Sequence, residues 1–302
     1  MYEQIASNKR RTFVVLFFFV VLIGLAGTAF NFVLGFGPQG VVVAVLIAIS
    51  MSFFSYFYSD KVAIAASKAV PADEVQYKRF HNLVEGLCIA SGLPKPRLYV
   101  VHDSAPNAFA TGRNPDNAAI AVTTGLLEIM NRVELEGVIA HELSHIKNYD
   151  ILVSTVAVTA VGAVTLLSDI GIRTAFWTGG GRSRNNNDSS GLGGLLAIVG
   201  IAFLVLAPFA AMLMNFAISR NREYLADVTG VSLTRYPPGL ISALEKLEAD
   251  KSIVRSSTKA TASMWIEQPL PGKEGGGHEK WLDKKFNTHP PLQDRIKRLK
   301  EM

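Results

Sequence analysis

Cysteine is nearly absent from this chain. The single residue, Cys88, excludes an intramolecular disulfide and reads as a buried core thiol in a helix-like stretch. Charge is also scarce: 18% of the 302 residues are charged and 49% are hydrophobic, which is apolar for a soluble protein. The formal charge of +5 comes without a basic stripe interleaved with aromatics. Nucleic acid is therefore excluded as a partner, and no nucleotide is expected either. Histidine is limited to six residues. Three of them, His81, His102 and His278, have no neighbour at metal-ligand spacing.

What the chain has instead is long uncharged runs. The first extends from Thr12 to Leu34 behind Lys9, Arg10 and Arg11, and the second from Gly40 to Tyr58. Each is long enough to cross a bilayer. A signal peptide fits poorly, because its apolar region would be shorter and a second run follows at once. Residues 35–39 contain Gly35, Gly37 and Pro38 and form a turn, so the two runs predict a helical hairpin. The basic residues ahead of it place the N-terminus in the cytoplasm. A third run spans Ile151 to Ser168 and a fourth Leu192 to Ile218, around a Gly/Ser/Asn-rich loop, residues 179–194. Asp169 shortens the third run, so a buried or surface-lying hairpin stands as an alternative for this pair. The organisation is then a transmembrane hairpin (1–59), a polar region (60–150), a second hairpin (151–218) and a second polar region (219–302). The bilayer is a partner of the chain.

The polar regions carry the chemistry. Residues 71–90 predict a helix opened by Pro71, Asp73 and Glu74. Arg97–Val101, Ala108–Thr111 and Ala118–Thr123 predict three short strands. Asn131 predicts the cap of a further helix that carries His141-Glu142-Leu143-Ser144-His145. Positions i and i+4 share a helix face, so His141 and His145 present two imidazoles to one metal. Glu142 stays off the metal, where it takes a proton from the attacking water as general base. Two histidines leave one protein ligand of a catalytic zinc missing. Glu223 is the candidate. Asp227, one helical turn later, is placed to accept the free N–H of a ligating imidazole. The competing reading of Glu223 and Asp227 is a solvated face paired with Arg220 and Arg222.

Taken together, residues 107–112, 141–150, 222–227 and 288–291 make the chain resemble the HtpX-type membrane-bound zinc metalloproteases, related to the CAAX prenyl endopeptidases. The order of these segments and the apolar runs between them match along nearly the whole chain. One stretch, residues 263–269, departs from the more polar, histidine-containing version that the resemblance leads one to expect. The resemblance implies an α+β, mainly α-helical fold: four transmembrane helices and a gluzincin-like metalloprotease domain of helices and a small β-sheet. It also implies one Zn2+ per chain and polypeptide substrates held near Asn107, Ala108, Phe109 and Ala110, since an edge strand can bind an extended peptide. His289 would donate to the developing oxyanion. The expected function is an integral membrane zinc endopeptidase of the cell membrane, cutting misfolded or membrane-proximal proteins on the cytoplasmic side. A non-catalytic metal-containing scaffold or chaperone is the alternative from a different class, and a narrow prenyl-protein processing enzyme is a third.

Overall fold

A computed structural model of the chain describes residues 2–34, 37–160, 220–250, 252–255, 257, 261, 264–266 and 290–302. Two long helices open it, α1 (Tyr2–Leu34) and α2 (Gly37–Ala66). Both run past the uncharged segments because their polar ends find partners inside the protein. Asn8 of α1 bonds Asn148 and Asp150, and Asp60 of α2 pairs with Arg97. The helices pack on each other through Val15, Phe19, Leu22 and Ala48, joined by Leu152, Val156 and Ala160 of a later helix. Their other faces are apolar and exposed; Phe17 is 64% accessible and Leu25 65%. Among the described residues one helix, α2, is long and apolar enough to cross a membrane. The other three expected spans are not established by that count. Most of the second hairpin, with its polar loop, lies outside the described residues.

The helix expected from Pro71 begins later. Val70–Pro71 is strand β1, and Ala72 continues its pairing by donating to the Leu98 carbonyl. The Asp73 carboxylate then accepts from the Val75 and Gln76 amides and turns the chain, and α3 runs only over Lys78–Ser91. Pro and acidic residues mark turns as readily as helix starts. Here Pro71 ends a strand, Asp73 and Glu74 form a turn, and the helix starts where Phe80 and Val84 can reach the core.

Strands β2 (Arg97–Val101), β3 (Ala108–Gly112) and β4 (Ala118–Thr123) complete a mixed sheet in the order β1-β2-β4-β3. β2 and β4 are parallel and the other pairs antiparallel. Strand side chains alternate faces. Val100, Ala108, Ala110, Ile120 and Val122 enter the main core, while Val101, Phe109, Ala119 and Ala121 meet Ala63 and Ile64 of α2 and Trp265. Both faces are covered, which explains why β3 and β4 are buried throughout. After β4 come α4 (Thr124–Ile129), α5 (Arg132–Lys147), α6 (Asp150–Ala160), α7 (Arg220–Thr234), α8 (Pro237–Ala249) and α9 (Leu292–Lys300). Helix α5 lies at the centre of the main core, through Leu135, Val138, Ile139 and Leu143.

Candidate active site

Helix α5 is fixed at its start by a reciprocal capping box. The Asn131 side chain accepts from the Glu134 amide, and the Glu134 carboxylate accepts from the Asn131 amide. Such caps are worth about 1 kcal/mol. Here the cap also clamps a neighbouring helix, because Ser242 and Lys246 of α8 both donate to Glu134 at 2.7 Å. The helix therefore reaches its third turn in a set position. There His141 is fully buried, while His145 keeps 15% of its side chain accessible.

Helix α7 crosses α5 at Gly230, where a Cβ would stand only 3.0 Å from the His141 amide nitrogen. Glycine allows that close approach without displacing α5, and the crossing brings Glu223 and Asp227 against the histidines. His141 Nε2 is 3.6 Å from Glu223 Oε2, His145 Nε2 is 3.7 Å from Glu223 Oε1, and the two Nε2 atoms are 3.2 Å apart. The Asp227 carboxylate lies 2.9 Å from His141 Nδ1. The solvated-face reading of Glu223 and Asp227 is thus set aside: both are buried, as is Arg222 beside them.

Each imidazole is held from behind. His141 gives its Nδ1 proton to Asp227, and His145 gives its own to Asp150 at 3.1 Å. When each imidazole keeps only its Nδ1 proton, both Nε2 lone pairs point at one another and at a carboxylate. Lone pairs that converge in a buried place call for a cation. Ligands about 2.0–2.1 Å from a tetrahedral zinc lie roughly 3.3 Å from one another. The spacings of 3.2, 3.6 and 3.7 Å fit such an ion with only small adjustment. His141, His145 and Glu223 also form the metal-competent group found among the described residues.

The charges around the site shift its acids and bases. Burial and Arg295 push the His141 imidazole down, but the Asp227 and Glu223 carboxylates outweigh them and hold it above its ordinary value. Burial opposes the charge on His145 too, and Glu223 and Asp150 overcome it, raising that imidazole to about 9. Burial raises the Glu142 carboxyl above its usual range, against the pull of both histidines. Asp227 resists burial and is held down at about 2 by Arg295 and by its bond to His141.

Three residues of this centre were given no role by the sequence. Arg295 is fully buried and forks onto Asp227, with Nε 2.9 Å from Oδ2 and Nη2 2.6 Å from Oδ1. Its signal was a basic residue on the apolar face that α9 builds from Leu292, Ile296 and Leu299. Asp150 comes back under His145 because α5 ends at Asn148 and Tyr149 takes a left-handed backbone (φ 59°). Asn8 donates to Asp150 Oδ1 at 2.7 Å and to the Asn148 carbonyl at 2.9 Å, and nothing local announces it. Of the expected site residues, His141, Glu142, His145, Glu223 and Asp227 come together. His289 lies outside the described residues. Ala108, Phe109 and Ala110 lie on β3, an edge strand of the described sheet, and Asn107 immediately precedes it. Asn107 accepts from the Thr123 amide, so Asn107 and Phe109 turn their backbones toward β4, and Ala108 and Ala110 turn theirs outward. The Ala108 carbonyl is taken by the Ile266 amide, and its N–H by the Asn107 side chain.

Comparison with known proteins follows this geometry. Residues 74–302 match the model of peptidase family M48. The chain is 44% identical over 303 residues to a protease HtpX homolog of Streptococcus gordonii, and 46% identical to one of Streptococcus agalactiae serotype III, with all of each chain covered. A protease HtpX homolog of Caldanaerobacter subterraneus is 42% identical, over all of this chain and 98% of its own. Among solved structures, Ste24p of S. mikatae shares the fold with a TM-score of 0.50 at 16% identity, over 99% of this chain and 67% of that one. With three quarters of its length matched and full-length relatives at this identity, the chain belongs to peptidase family M48 and is a metalloprotease.

Proposed function

We infer that the protein is an integral membrane zinc endopeptidase that cleaves misfolded or membrane-proximal polypeptides on the cytoplasmic side. The single observation that carries this reading is the convergence of two Nε2 atoms and one carboxylate beside a buried, non-ligating carboxylate, Glu142. His141, His145 and Glu223 hold the ion, and zinc suits this donor set best. When bound, zinc polarises the scissile carbonyl and acidifies the attacking water. Glu142 takes that water's proton and returns it to the leaving amine. Its raised proton affinity suits a group that must both accept and donate. Asp227 and Asp150 fix the tautomers of the two imidazoles so that Nε2 faces inward. The outward backbone of Ala110 on β3 offers an N–H and a carbonyl to an extended substrate. His289, just ahead of the helix that brings Arg295 into the site, donates to the oxyanion.

The membrane reading rests on the length and apolarity of α2 and on the large exposed aromatic and aliphatic side chains of α1 and α2. Four spans, with both hairpin ends on the cytoplasmic side, follow from the uncharged runs and the basic residues beside them. A non-catalytic scaffold has no use for Glu142. Glu142→Gln should bind zinc stoichiometrically, measured by metal analysis, and lose casein cleavage by at least about 100-fold. Cleavage that survives both this substitution and a chelator would remove the assignment.

A further inference from the structure

The helix hairpin and the turn at Tyr149, next to Asp150, line a cavity that the chemistry above does not use. Its volume is about 600 Å³, in the range of sites for small ligands. α1, α2, the β3–β4 connection and the Tyr149 turn enclose it. The lining is graded. One end presents Lys9, Arg113 and the Tyr149 ring. Seven or eight residues along each helix, from Lys9 to Leu16 and from Phe57 to Ile49, the wall has become apolar, a distance of about 10–12 Å at 1.5 Å per residue. No Asp or Glu lines the cavity.

The two cations are placed but not neutralised. Lys9 Nζ sits 4.8 Å above the Tyr149 ring, and the Arg113 guanidinium 5.0 Å above the Phe57 ring. Arg113 gives one N–H to the Phe57 carbonyl at 3.3 Å. Neither has a carboxylate partner among the described residues. Cation–π contacts orient a charge and leave its other donors available, and a guanidinium so held matches the two oxygens of a phosphate. On the apolar side Phe13 is 76% accessible and Phe53 62%, so the cavity opens sideways past them. In a hairpin that spans the bilayer, that opening faces acyl chains just below headgroup level.

We propose that this cavity is a binding site for an anionic phospholipid. Its phosphate lies between Lys9 and Arg113, and an acyl chain runs along Phe13, Leu16 and Ile49. Charge and depth both favour this occupant, because basic pockets between membrane helices suit acidic headgroups. The inference rests on the membrane reading given above, and the two can fail separately.

The test uses the full-length protein in phosphatidylcholine bilayers with and without added phosphatidylglycerol. Phosphatidylglycerol should raise the apparent Tm by roughly 5 °C when in large excess over its Kd. Lys9→Ala with Arg113→Ala should abolish the rise, and Arg113→Lys should keep most of it. Arg113→Ala alone should remove most of the rise, whereas Arg10→Ala, which removes the same single charge from an exposed neighbour outside the cavity, should keep all of it. Ser52→Leu fills the cavity without changing charge and should also abolish the rise. Equal Tm values with and without phosphatidylglycerol would overturn the site, and so would a loss in Arg10→Ala as large as in Arg113→Ala. The same rise with inorganic phosphate alone would make it an anion site and not a lipid site. Competition by casein peptides in place of lipid would make it part of the substrate path. A chain that washes out of membranes at alkaline pH would end the membrane reading and this proposal together, whereas a chain that stays while phosphatidylglycerol has no effect ends this proposal alone.

Discussion

The two histidines of the site occupy equivalent positions one turn apart, yet the protein holds them in different ways. His141 is sealed in the core. Its carboxylate, Asp227, is locked by a forked, fully buried arginine from the last helix. His145 lies at the open side. Its carboxylate, Asp150, is steadied by a neutral amide, Asn8, at the start of the first helix, with the Arg222 guanidinium 3.9 Å away. One histidine is therefore tied to the folded core by a tight ion pair, and the other mainly by hydrogen bonds to the first helix of the apolar hairpin, with a looser ion pair beside them. The difference teaches that fold stability and metal geometry are separable here: the His141 side serves both, and the His145 side serves mainly the second.

Glu223 belongs to neither side, since it stands 3.6 and 3.7 Å from the two Nε2 atoms. Removing it should have the largest effect. Glu223→Ala is expected to purify nearly free of zinc, by metal analysis, and to be inactive on casein, while Asp227→Ala retains metal when zinc is abundant. Stoichiometric zinc in the first variant and none in the second would exchange the roles of the two carboxylates.

Breaking the charged side comes next. Arg295→Ala leaves Asp227 buried with only the His141 imidazole as a partner. Breaking a buried ion pair costs on the order of 3–5 kcal/mol, so this variant should show a clearly lowered Tm even when zinc is supplied. Asp150→Ala removes a looser ion pair, to Arg222 at 3.9 Å, and should lower Tm less than Arg295→Ala in the presence of zinc while weakening metal affinity by about 10–100-fold. Equal Tm losses in the two variants would erase the contrast between the histidines.

Protons should reveal the same contrast more mildly. Both imidazoles bind protons more tightly than usual, His145 up to about 9, because carboxylates surround them. A metal at Nε2 must displace those protons. Apparent zinc affinity should therefore rise with pH until about 9 and fall on acidification, by up to about tenfold per unit for each proton displaced. Competition with a chromophoric chelator across pH 6 to 9 would measure it, and a flat profile would mean that the imidazoles are already unprotonated at Nε2.

Much of this was legible in the sequence. His-Glu-x-x-His fixes its own helix face by period, and the Asn131 cap and the strands Arg97–Val101 and Ala118–Thr123 follow from local chemistry. Glu223 could be anticipated because a catalytic zinc with two histidines lacks a third ligand. The helix start at residue 71 misread local chemistry, since Pro71, Asp73 and Glu74 serve a strand and a turn equally well. Arg295 was hidden differently. A basic residue reads as solvated, and only the fold shows that Asp227 compensates its burial. Asn8 was beyond any pattern, because it meets Asp150 across 142 positions.

Asn8 also provides the finest test of the comparison. It donates two hydrogen bonds, to the Asp150 carboxylate at 2.7 Å and to the Asn148 carbonyl at 2.9 Å, and it is 3% accessible. A bond to a charged acceptor contributes about 1.5–3 kcal/mol and a neutral one about 0.5–1.5 kcal/mol, and only part of that reaches His145 through the carboxylate. Asn8→Leu is therefore expected to weaken zinc affinity by only about 3–10-fold, with Tm in excess zinc little changed. Asn8→Asp has nearly the same shape but sets a second carboxylate against Asp150, so that one of the pair must take a proton or turn away. It should cost more than Asn8→Leu, and the excess should shrink as pH falls and the added carboxyl becomes neutral. If α1 served only as an anchor, the two substitutions would behave alike at every pH. Identical zinc titrations for Asn8→Leu, Asn8→Asp and the unaltered protein would show that the first helix ends its influence at Asp150 and that His145 is held by α5 and α6 alone.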